Sequence, residues 1–186
     1  MKIQIEVSAR HIHLSQKDLE ILFGKNYELK ILHKISQPGQ FAAKETITLI
    51  NGNNRIENVR IIGPVRKNSQ IEISLTDART LDIKLPIRIS ENTLFAPKLI
   101  IQNKNKKIKT PAIIAQRHLH VSNEQANKLN LKNNQIISIK IPGKRGLIFD
   151  NVVVRAGDKH WLSFQLDTDE ANAAGIKGKM YGELVR

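Results

Sequence analysis

The amino-acid sequence predicts a mainly β protein built as barrels or sandwiches, with a few short helices. Short segments rich in Ile, Leu and Val recur along the 186 residues, many with apolar and polar residues in alternation. Turn signals separate them at Asn51-Gly52, Gly63-Pro64 and Pro142-Gly143. Strands spaced in this way are typical of all-β architectures rather than of βαβ units. One phrase also occurs twice, which indicates two related halves.

Strands are predicted for ten segments of this kind. In chain order they are residues 2–7, 45–50, 58–63, 69–75, 81–89, 98–102, 109–115, 135–141, 146–156 and 161–166. The lysine-rich segment 103–107 is predicted as the tip of a hairpin, and a linker between the halves is the alternative.

Short helices are predicted over residues 16–24, 123–131 and 169–176. Ser15 and Ser122 can cap the first two, because an acidic or amide side chain follows each of them three residues later, as in a capping box. Gly24 is expected to end the first helix.

The repeated phrase is Arg-His-aliphatic-His-aliphatic-Ser, at residues 10–15 and 117–122. Each copy is predicted to form a strand, a Ser cap and a short helix. We therefore expect an N-terminal domain over residues 1–95 and a C-terminal domain over residues 96–186, one phrase in each. The pattern leaves open an exchange of strands between the halves.

The composition limits the chemistry. The chain has no cysteine, which excludes disulfides, a thiolate nucleophile and Cys-ligated metals. Any metal site must therefore use His with carboxylate or amide oxygens. No apolar run approaches the roughly 20 residues of a membrane helix. The first residues alternate like a strand and lack the apolar centre of a signal peptide, so we expect a cytoplasmic protein that does not bind membranes.

The charge balance indicates an anionic partner. Lys and Arg number 30 against 17 Asp and Glu, a net charge of +13. Nucleic acid and a phosphate-bearing cofactor both fit, and a merely solvated basic surface is the plain alternative. A basic nucleic-acid-binding β-barrel is thus one hypothesis. Against it, one Trp, two Tyr and five Phe are few for a base-stacking platform.

The two phrases hold four of the six histidines. Alternate residues of a strand share one face, so His11 and His13 can close on one metal ion. His118 and His120 can do the same in the second copy. Two structural histidines per copy are the alternative, but recurrence of the phrase in a histidine-poor, cysteine-free chain favours metal binding.

A second group of polar residues lies between the two phrases. Glu72 stands inside a predicted strand, where a buried carboxylate needs a partner such as a metal ion. The alternation equally allows Glu72 on the solvent face. Arg66 follows the Gly63-Pro64 turn. Cupins also carry paired histidines on a strand, but with Glu five residues after the second, where this chain has Asp18 and Gln125.

Six segments in the same order carry a family resemblance, from about residue 5 to the C-terminus. They are "VSARHIHLS", "QPGQFAAKE", "GPVRKNSQIEIS", "QRHLHVS", "GLIFDNVVVR" and "LDTDEANAAGI". Together they resemble the phosphate propanoyltransferase family of cysteine-free phosphotransacylases. The resemblance implies two related β-barrel domains with short capping helices and a dinuclear zinc site near a CoA pocket. It also implies reversible transfer of a propanoyl or acetyl group between CoA and phosphate.

Position by position, the resemblance implies the roles of individual residues. The ligands of the two zinc ions are His11 and His13, then His118 and His120, with Glu72 between the ions. Arg66 matches the phosphate-contacting arginine and is the catalytic candidate. The CoA contacts are Asn172, Ser8 and Arg60.

One position departs from the family pattern. Gln165 stands where relatives carry the third histidine of the second zinc ion. An amide oxygen is a weaker zinc ligand than imidazole, so we expect this ion to be weakly held or of another kind. An inactive family member is the alternative. His160 lies five residues earlier and would face the opposite way on a regular strand.

The expected partners follow from the resemblance. They are CoA or acyl-CoA and phosphate, whose negative charges suit the basic chain, and we expect no nucleic acid. The resemblance also implies a homodimer. Relatives targeted to a microcompartment shell carry an extension ahead of the first motif, whereas this sequence has seven strand-like residues before Ser8, so we again expect a cytoplasmic protein.

Overall fold

A computed structural model of the chain describes residues 2–185. Its strands are β1 Lys2–Val7, β2 His11–His13, β3 Ile31–Lys34, β4 Phe41–Asn51, β5 Asn54–Gly63, β6 Gln70–Ile73, β7 Ile87–Arg88, β8 Lys98–Asn103, β9 Lys106–Ala115, β10 His118–Val121, β11 Ile136–Ile141, β12 Leu147–Ala156, β13 Ser163–Leu166 and β14 Tyr181–Leu184. Its helices are α1 Gln16–Phe23, α2 Leu75–Thr80, α3 Asn123–Lys128 and α4 Thr168–Ala173.

The chain divides into two compact units. The first joins the N-terminal segment, up to Ser8, to the chain from Gln116 onward, and the second is Ala9–Ala115. The first unit is a closed barrel with the strand order β1-β13-β10-β12-β11-β14. Its interior is filled by alternate residues of these strands, including Ile3, Ile5, Leu119, Val154 and Phe164. Because Leu119 points inward, its neighbours His118 and His120 lie on the outer face.

The second unit closes a barrel from β4, β5, β2, β6, β9 and β8, with β3 beside β4 and β7 beside β9. Ile12, Leu14, Ile71 and Ile73 point into its core. The predicted fold class is therefore confirmed: the protein is mainly β, with two closed six-stranded barrels and short helices. The inward position of Ile12 and Ile71 directs the histidines of β2 and Glu72 of β6 to the other face.

The helices begin at capping residues. The Ser15 side chain accepts from the Asp18 backbone N–H, and Ser122 forms a full capping box with Gln125. α1 ends at Gly24, as predicted. Helix α2 was not predicted, although Ser74 and Asp77 form the same capping box. The predicted strand over residues 69–75 ends at Ile73 because this cap starts a helix.

Other elements also differ from the sequence expectations. The predicted strand over 81–89 is reduced to Ile87–Arg88, since Leu81 ends α2 and Asp82 takes a positive φ of 50°. Strands β3 and β14 were not predicted. The hairpin at 103–107 is confirmed, because Asn103 pairs with Lys106 in the antiparallel β8–β9 ladder.

The sequence predicts a boundary between residues 95 and 96, but the second unit of the structure runs from Ala9 to Ala115. Strands β8 and β9 pair with β4 and β6 of the second unit, which therefore extends to Ala115. Strand β1 pairs with β13 and β14, so the N-terminus completes the barrel formed by the C-terminal part of the chain. No helix within residues 2–185 has the length and apolar character needed to cross a membrane.

Candidate functional site

Two histidines and one carboxylate converge in the second unit. In the antiparallel β2–β6 ladder His11 is paired with Glu72. Their side chains, with that of His13, bring one ligand atom each within 4.8 Å of one another, and we call these residues the β2–β6 cluster. The His11 Nε2 lies 3.8 Å from Glu72 Oε2, and the His13 Nε2 lies 3.7 Å from Glu72 Oε1. Two imidazoles and a carboxylate are a ligand set that zinc accepts.

Backbone carbonyls orient both rings of this cluster. The His11 Nδ1 lies 2.9 Å from the Ala9 carbonyl oxygen, and the His13 Nδ1 lies 3.1 Å from that of Ile62. A carbonyl oxygen only accepts, so each Nδ1 carries a proton in these contacts. The Nε2 atoms then present their lone pairs toward Glu72. Metal-binding histidines are held in the same way, with the other ring nitrogen bonded to a carbonyl or carboxylate.

The charge states of the cluster also suit a metal ion. Burial raises the pKa of Glu72, but the neighbouring His11 and His13, a Ser90 hydrogen bond and Arg66 outweigh burial and lower this pKa to about 2. Burial, reinforced by His11, lowers the pKa of His13 to about 3. Near neutral pH, Glu72 is therefore a carboxylate and His13 a neutral imidazole. Metal ligands need these protonation states.

A chain of polar side chains links Glu72 to Arg66. The Ser90 hydroxyl donates to Glu72 Oε1 over 2.6 Å. The Gln70 amide donates to the same oxygen and to Ser90 Oγ, over 2.5 Å in each case. Arg66 Nη1 donates to Ser90 Oγ over 3.0 Å. These contacts fix the carboxylate and bring the predicted Arg66 to the β2–β6 cluster.

Sequence reasoning missed both Ser90 and Gln70. Gln70 could have been found, since it stands two residues before Glu72 on one strand and so shares its face. Ser90 follows the short strand β7, and no local pattern marks it. Arg66 itself is held by its backbone N–H, which donates to the Leu14 carbonyl oxygen over 2.9 Å. Its side chain is 24% exposed, so the guanidinium can meet an anion from solution.

The second histidine pair lies on the outer face of the first unit. The Nε2 atoms of His118 and His120 are 3.0 Å apart, and their rings stand at 86° to each other. When two nitrogen atoms bind one tetrahedral zinc ion at the usual Zn–N bond length, they are about 3.3 Å apart. The His118 Nδ1 lies 2.8 Å from the Gln116 carbonyl oxygen, two residues earlier. This repeats the contact of His11 with Ala9 in the other copy.

Gln165 lies on the same sheet face as this pair, but its side-chain amide nitrogen bonds to other residues. It stands opposite His118 in the antiparallel β10–β13 ladder. Its amide nitrogen donates to the Glu6 carboxylate and, over 3.0 Å, to Ser163 Oγ. The amide nitrogen cannot bind a metal ion, so these contacts leave only the oxygen for that role.

The orientation expected for His160 was wrong. Residues 157–162 form a loop rather than a strand, so strand alternation does not govern the direction of this side chain. The His160 ring lies against His120, with 4.4 Å between the ring centroids. The structure therefore adds a third imidazole beside the second histidine pair.

The predicted CoA contacts lie in different surroundings. The Arg60 guanidinium donates to the carbonyl oxygens of Ala43 and Lys44, each over 2.9 Å, and so ties β5 to β4. Ser8 ends the N-terminal segment of the first unit, and its backbone N–H donates to the Leu166 carbonyl oxygen over 2.7 Å. Asn172 is exposed on α4. Their contact with CoA stays a prediction.

Comparison with known proteins identifies the family. The family model described as phosphate propanoyltransferase matches residues 4–177. A phosphate propanoyltransferase of Thermotoga maritima is 45% identical over 98% of this chain and 87% of its own. Those of Sebaldella termitidis and Salmonella typhimurium are 40% and 43% identical, over 100% and 93% of this chain and 89% and 83% of theirs. The chain therefore belongs to the phosphate propanoyltransferase family of acyltransferases.

Proposed function

We propose that the protein interconverts acyl-CoA and phosphate with acyl phosphate and CoA, using propanoyl or acetyl groups. Family membership supports the reaction class, since the relatives that match over nearly the whole chain are named phosphate propanoyltransferase. The observation that carries the proposal is the link from Arg66 through Ser90 to Glu72 and the two histidines. It joins an anion-binding group to a set of metal ligands.

We propose one zinc ion at each histidine pair. His11, His13 and Glu72 would hold one ion, and His118 and His120 the other. The carbonyl-bonded Nδ1 atoms of His11, His13 and His118 support this assignment, as do the facing Nε2 atoms of His118 and His120. Bound zinc supplies a Lewis acid, which lowers the energy of negative charge on a thioester oxygen or sulfur.

Arg66 would bind the phosphate substrate. Its guanidinium offers several N–H donors in a plane, a geometry that matches two phosphate oxygens. Ser90 holds one nitrogen of this group and limits its rotation. A phosphate held in a reactive orientation reacts faster, because the entropy cost of orienting it has been met on binding.

The transfer itself needs no thiol of the protein, which has no cysteine. A phosphate oxygen forms the new bond to the acyl carbonyl carbon, and the carbon–sulfur bond of the thioester breaks. The electron pair of that bond leaves on the CoA sulfur. Both substrates must therefore be bound together.

The test is an assay of the zinc-loaded protein with propanoyl-CoA and phosphate. Acyl phosphate, trapped with hydroxylamine, should form in the same amount as free CoA thiol. Acetyl-CoA in place of propanoyl-CoA measures the acyl preference. Thiol release without acyl phosphate would mean hydrolysis, and no turnover of either thioester would refute the proposed function.

The remaining sequence expectations stay predictions. They are a homodimer, a cytoplasmic location and the absence of a nucleic-acid partner. Sedimentation of the purified protein, together with a binding assay on DNA and RNA at two salt concentrations, tests the first and the last.

A further inference from the structure

We propose that His160 is the third protein ligand of the metal ion at His118 and His120, in place of the family histidine replaced by Gln165. The inference rests on the proposed function only for the presence of a zinc ion at this pair. It assigns a ligand that lies outside the family pattern, in a loop five residues before the expected position.

The first argument is proximity. Two imidazoles that bind one tetrahedral ion through Nε2 have ring centroids roughly 5 Å apart. The distance is 5.0 Å for His11 and His13 and 4.6 Å for His118 and His120. It is 4.4 Å for His120 and His160, with the rings at 69°. The ring of His160 therefore lies as near to the ring of His120 as the rings of each predicted ligand pair lie to each other.

The second argument is the hydrogen bond behind the ring. The His160 Nδ1 lies 2.8 Å from the Arg155 carbonyl oxygen. The His118 Nδ1 makes the same contact with a carbonyl oxygen, also over 2.8 Å. In both residues Nδ1 then carries the proton and Nε2 keeps its lone pair for a metal ion. Histidine ligands are typically oriented by such a contact.

The third argument is the anchoring of the loop. The Gly157 N–H donates to the Val121 carbonyl oxygen over 3.0 Å, which ties the loop to the end of β10, the strand that carries both histidines. The His160 N–H donates to the Gly157 carbonyl oxygen, also over 3.0 Å. A Cβ atom on Gly157 would stand 3.3 Å from the His160 ring, so glycine lets the ring lie close against the loop.

The fourth argument concerns Gln165. Its amide nitrogen is held by Glu6 and Ser163, and its oxygen is a weaker zinc ligand than an imidazole nitrogen. His160 supplies an imidazole whose ring centroid lies 4.4 Å from that of His120. The chain thus keeps a set of three histidines, with one of them moved from β13 to the preceding loop.

The experiment counts bound zinc in His160→Ala and Gln165→Ala. Each protein is loaded with Zn²⁺, freed of excess metal and titrated with a chromogenic chelator. We expect two zinc ions in the parent protein and in Gln165→Ala. In His160→Ala we expect one ion to be released at a chelator concentration at least tenfold lower. His33→Ala is the matched control, because His33 is exposed on β3 in the other unit.

A second variant guards against a simple folding defect. Gln165→His in the His160→Ala background places an imidazole opposite His118 on β13 and should restore tight binding of the second ion. Release that matches the parent protein in His160→Ala, or loss of zinc in Gln165→Ala instead, would overturn the inference. So would failure of the double variant to regain the ion.

Zinc counting separates this inference from the proposed function. A parent protein that binds fewer than two ions overturns the inference and the zinc assignment together. Two ions in His160→Ala that are released at the same chelator concentrations as in the parent protein, with normal acyl phosphate formation, overturn only the role of His160. A His11→Ala background, in which the ion at His118 and His120 is measured alone, identifies the ion that responds.

Discussion

Glu72 shows how one residue depends on its surroundings. Its side chain is buried on the face of β6 that does not enter the barrel core, with 6% of the residue exposed. A carboxylate so enclosed needs compensating partners. It accepts from the Ser90 hydroxyl and the Gln70 amide, and the proposed metal ion at the two facing imidazoles would add a positive charge. The solvent-exposed alternative for Glu72 is therefore excluded by its burial. The Ser90 side chain bonds both Glu72 and Arg66, and so links Arg66 to the proposed metal ligands.

The role of Arg66 can be tested with Arg66→Lys. Lysine keeps the charge but loses the planar pair of donors, so the KM for phosphate should rise about tenfold and kcat should fall. The KM for propanoyl-CoA should change less than twofold. Arg55→Lys, at an exposed position on β5, is the matched control. An equal loss for both substrates would indicate that Arg66 acts only through the structure of the loop.

The β2–β6 cluster can be tested with His11→Ala. The variant removes one of three ligands without opening the barrel core, so it should lose one bound zinc ion while its far-UV circular dichroism is unchanged. Acyl phosphate formation should fall by more than about 100-fold, the scale of a removed catalytic interaction. His33→Ala should keep both zinc and activity. Near-normal turnover of His11→Ala would contradict the proposed zinc site.

Among the elements, the short helices are determined by their caps. α2, α3 and α4 each have six residues and a full capping box. Helices of this length are not stable alone, so the cap and the packing of one buried face decide where they form. In α4 the cap is Asp167, whose side chain accepts from the Glu170 N–H over 2.8 Å.

The cap of α4 predicts a pH dependence of stability. Burial raises the pKa of Asp167 to about 6, and the charges of Glu170 and Asp169 add to the rise against the backbone hydrogen bonds. The folded state then binds more protons than the unfolded state between pH 4 and pH 6, where the Asp167 contribution to stability falls as pH rises.

Asp167→Asn removes this dependence, because Asn caps a helix about as well as Asp and does not titrate. Relative to the parent protein, its free energy of unfolding should rise between pH 4 and pH 6. Above pH 6 the gain should level off at on the order of 1 kcal/mol, after allowance for solvent screening. Urea unfolding at several pH values measures it. A difference that is constant with pH would show that Asp167 titrates normally.

At the scale of the whole molecule, each unit carries its own candidate metal ligands. His11, His13 and Glu72 belong to the second unit, and His118, His120 and His160 to the first. Metal binding to the folded state stabilises it by mass action, so zinc should act on both units.

Zinc loading should therefore raise the melting temperature. Free zinc at 1,000 times its dissociation constant adds about 4 kcal/mol per site, or roughly 10 °C for a chain of this size. Scanning calorimetry with and without a chelator measures the shift. The double variant His11→Ala/His118→Ala should not respond to zinc. Equal melting temperatures of the loaded and stripped parent protein would contradict both metal sites.

The sequence by itself determined the local features of this protein. Alternation of apolar residues located β1, β4, β5 and most other strands, and Ser15 and Ser122 located the starts of two helices. The repeated phrase placed both histidine pairs on strands. These features depend on residues that lie only a few positions apart in the sequence, so a short segment is enough to predict them.

Tertiary structure alone decided which distant segments meet. The pairing of β1 with β13 joins the two ends of the chain in one barrel. Ser90 reaches Glu72, and the ring of His160 turns toward His120, through loops whose paths follow from packing and not from periodicity. Such contacts arise because hydrophobic burial selects which strands pair. That selection depends on residues far apart in the chain, so no sequence pattern near Ser90 or His160 predicts these contacts.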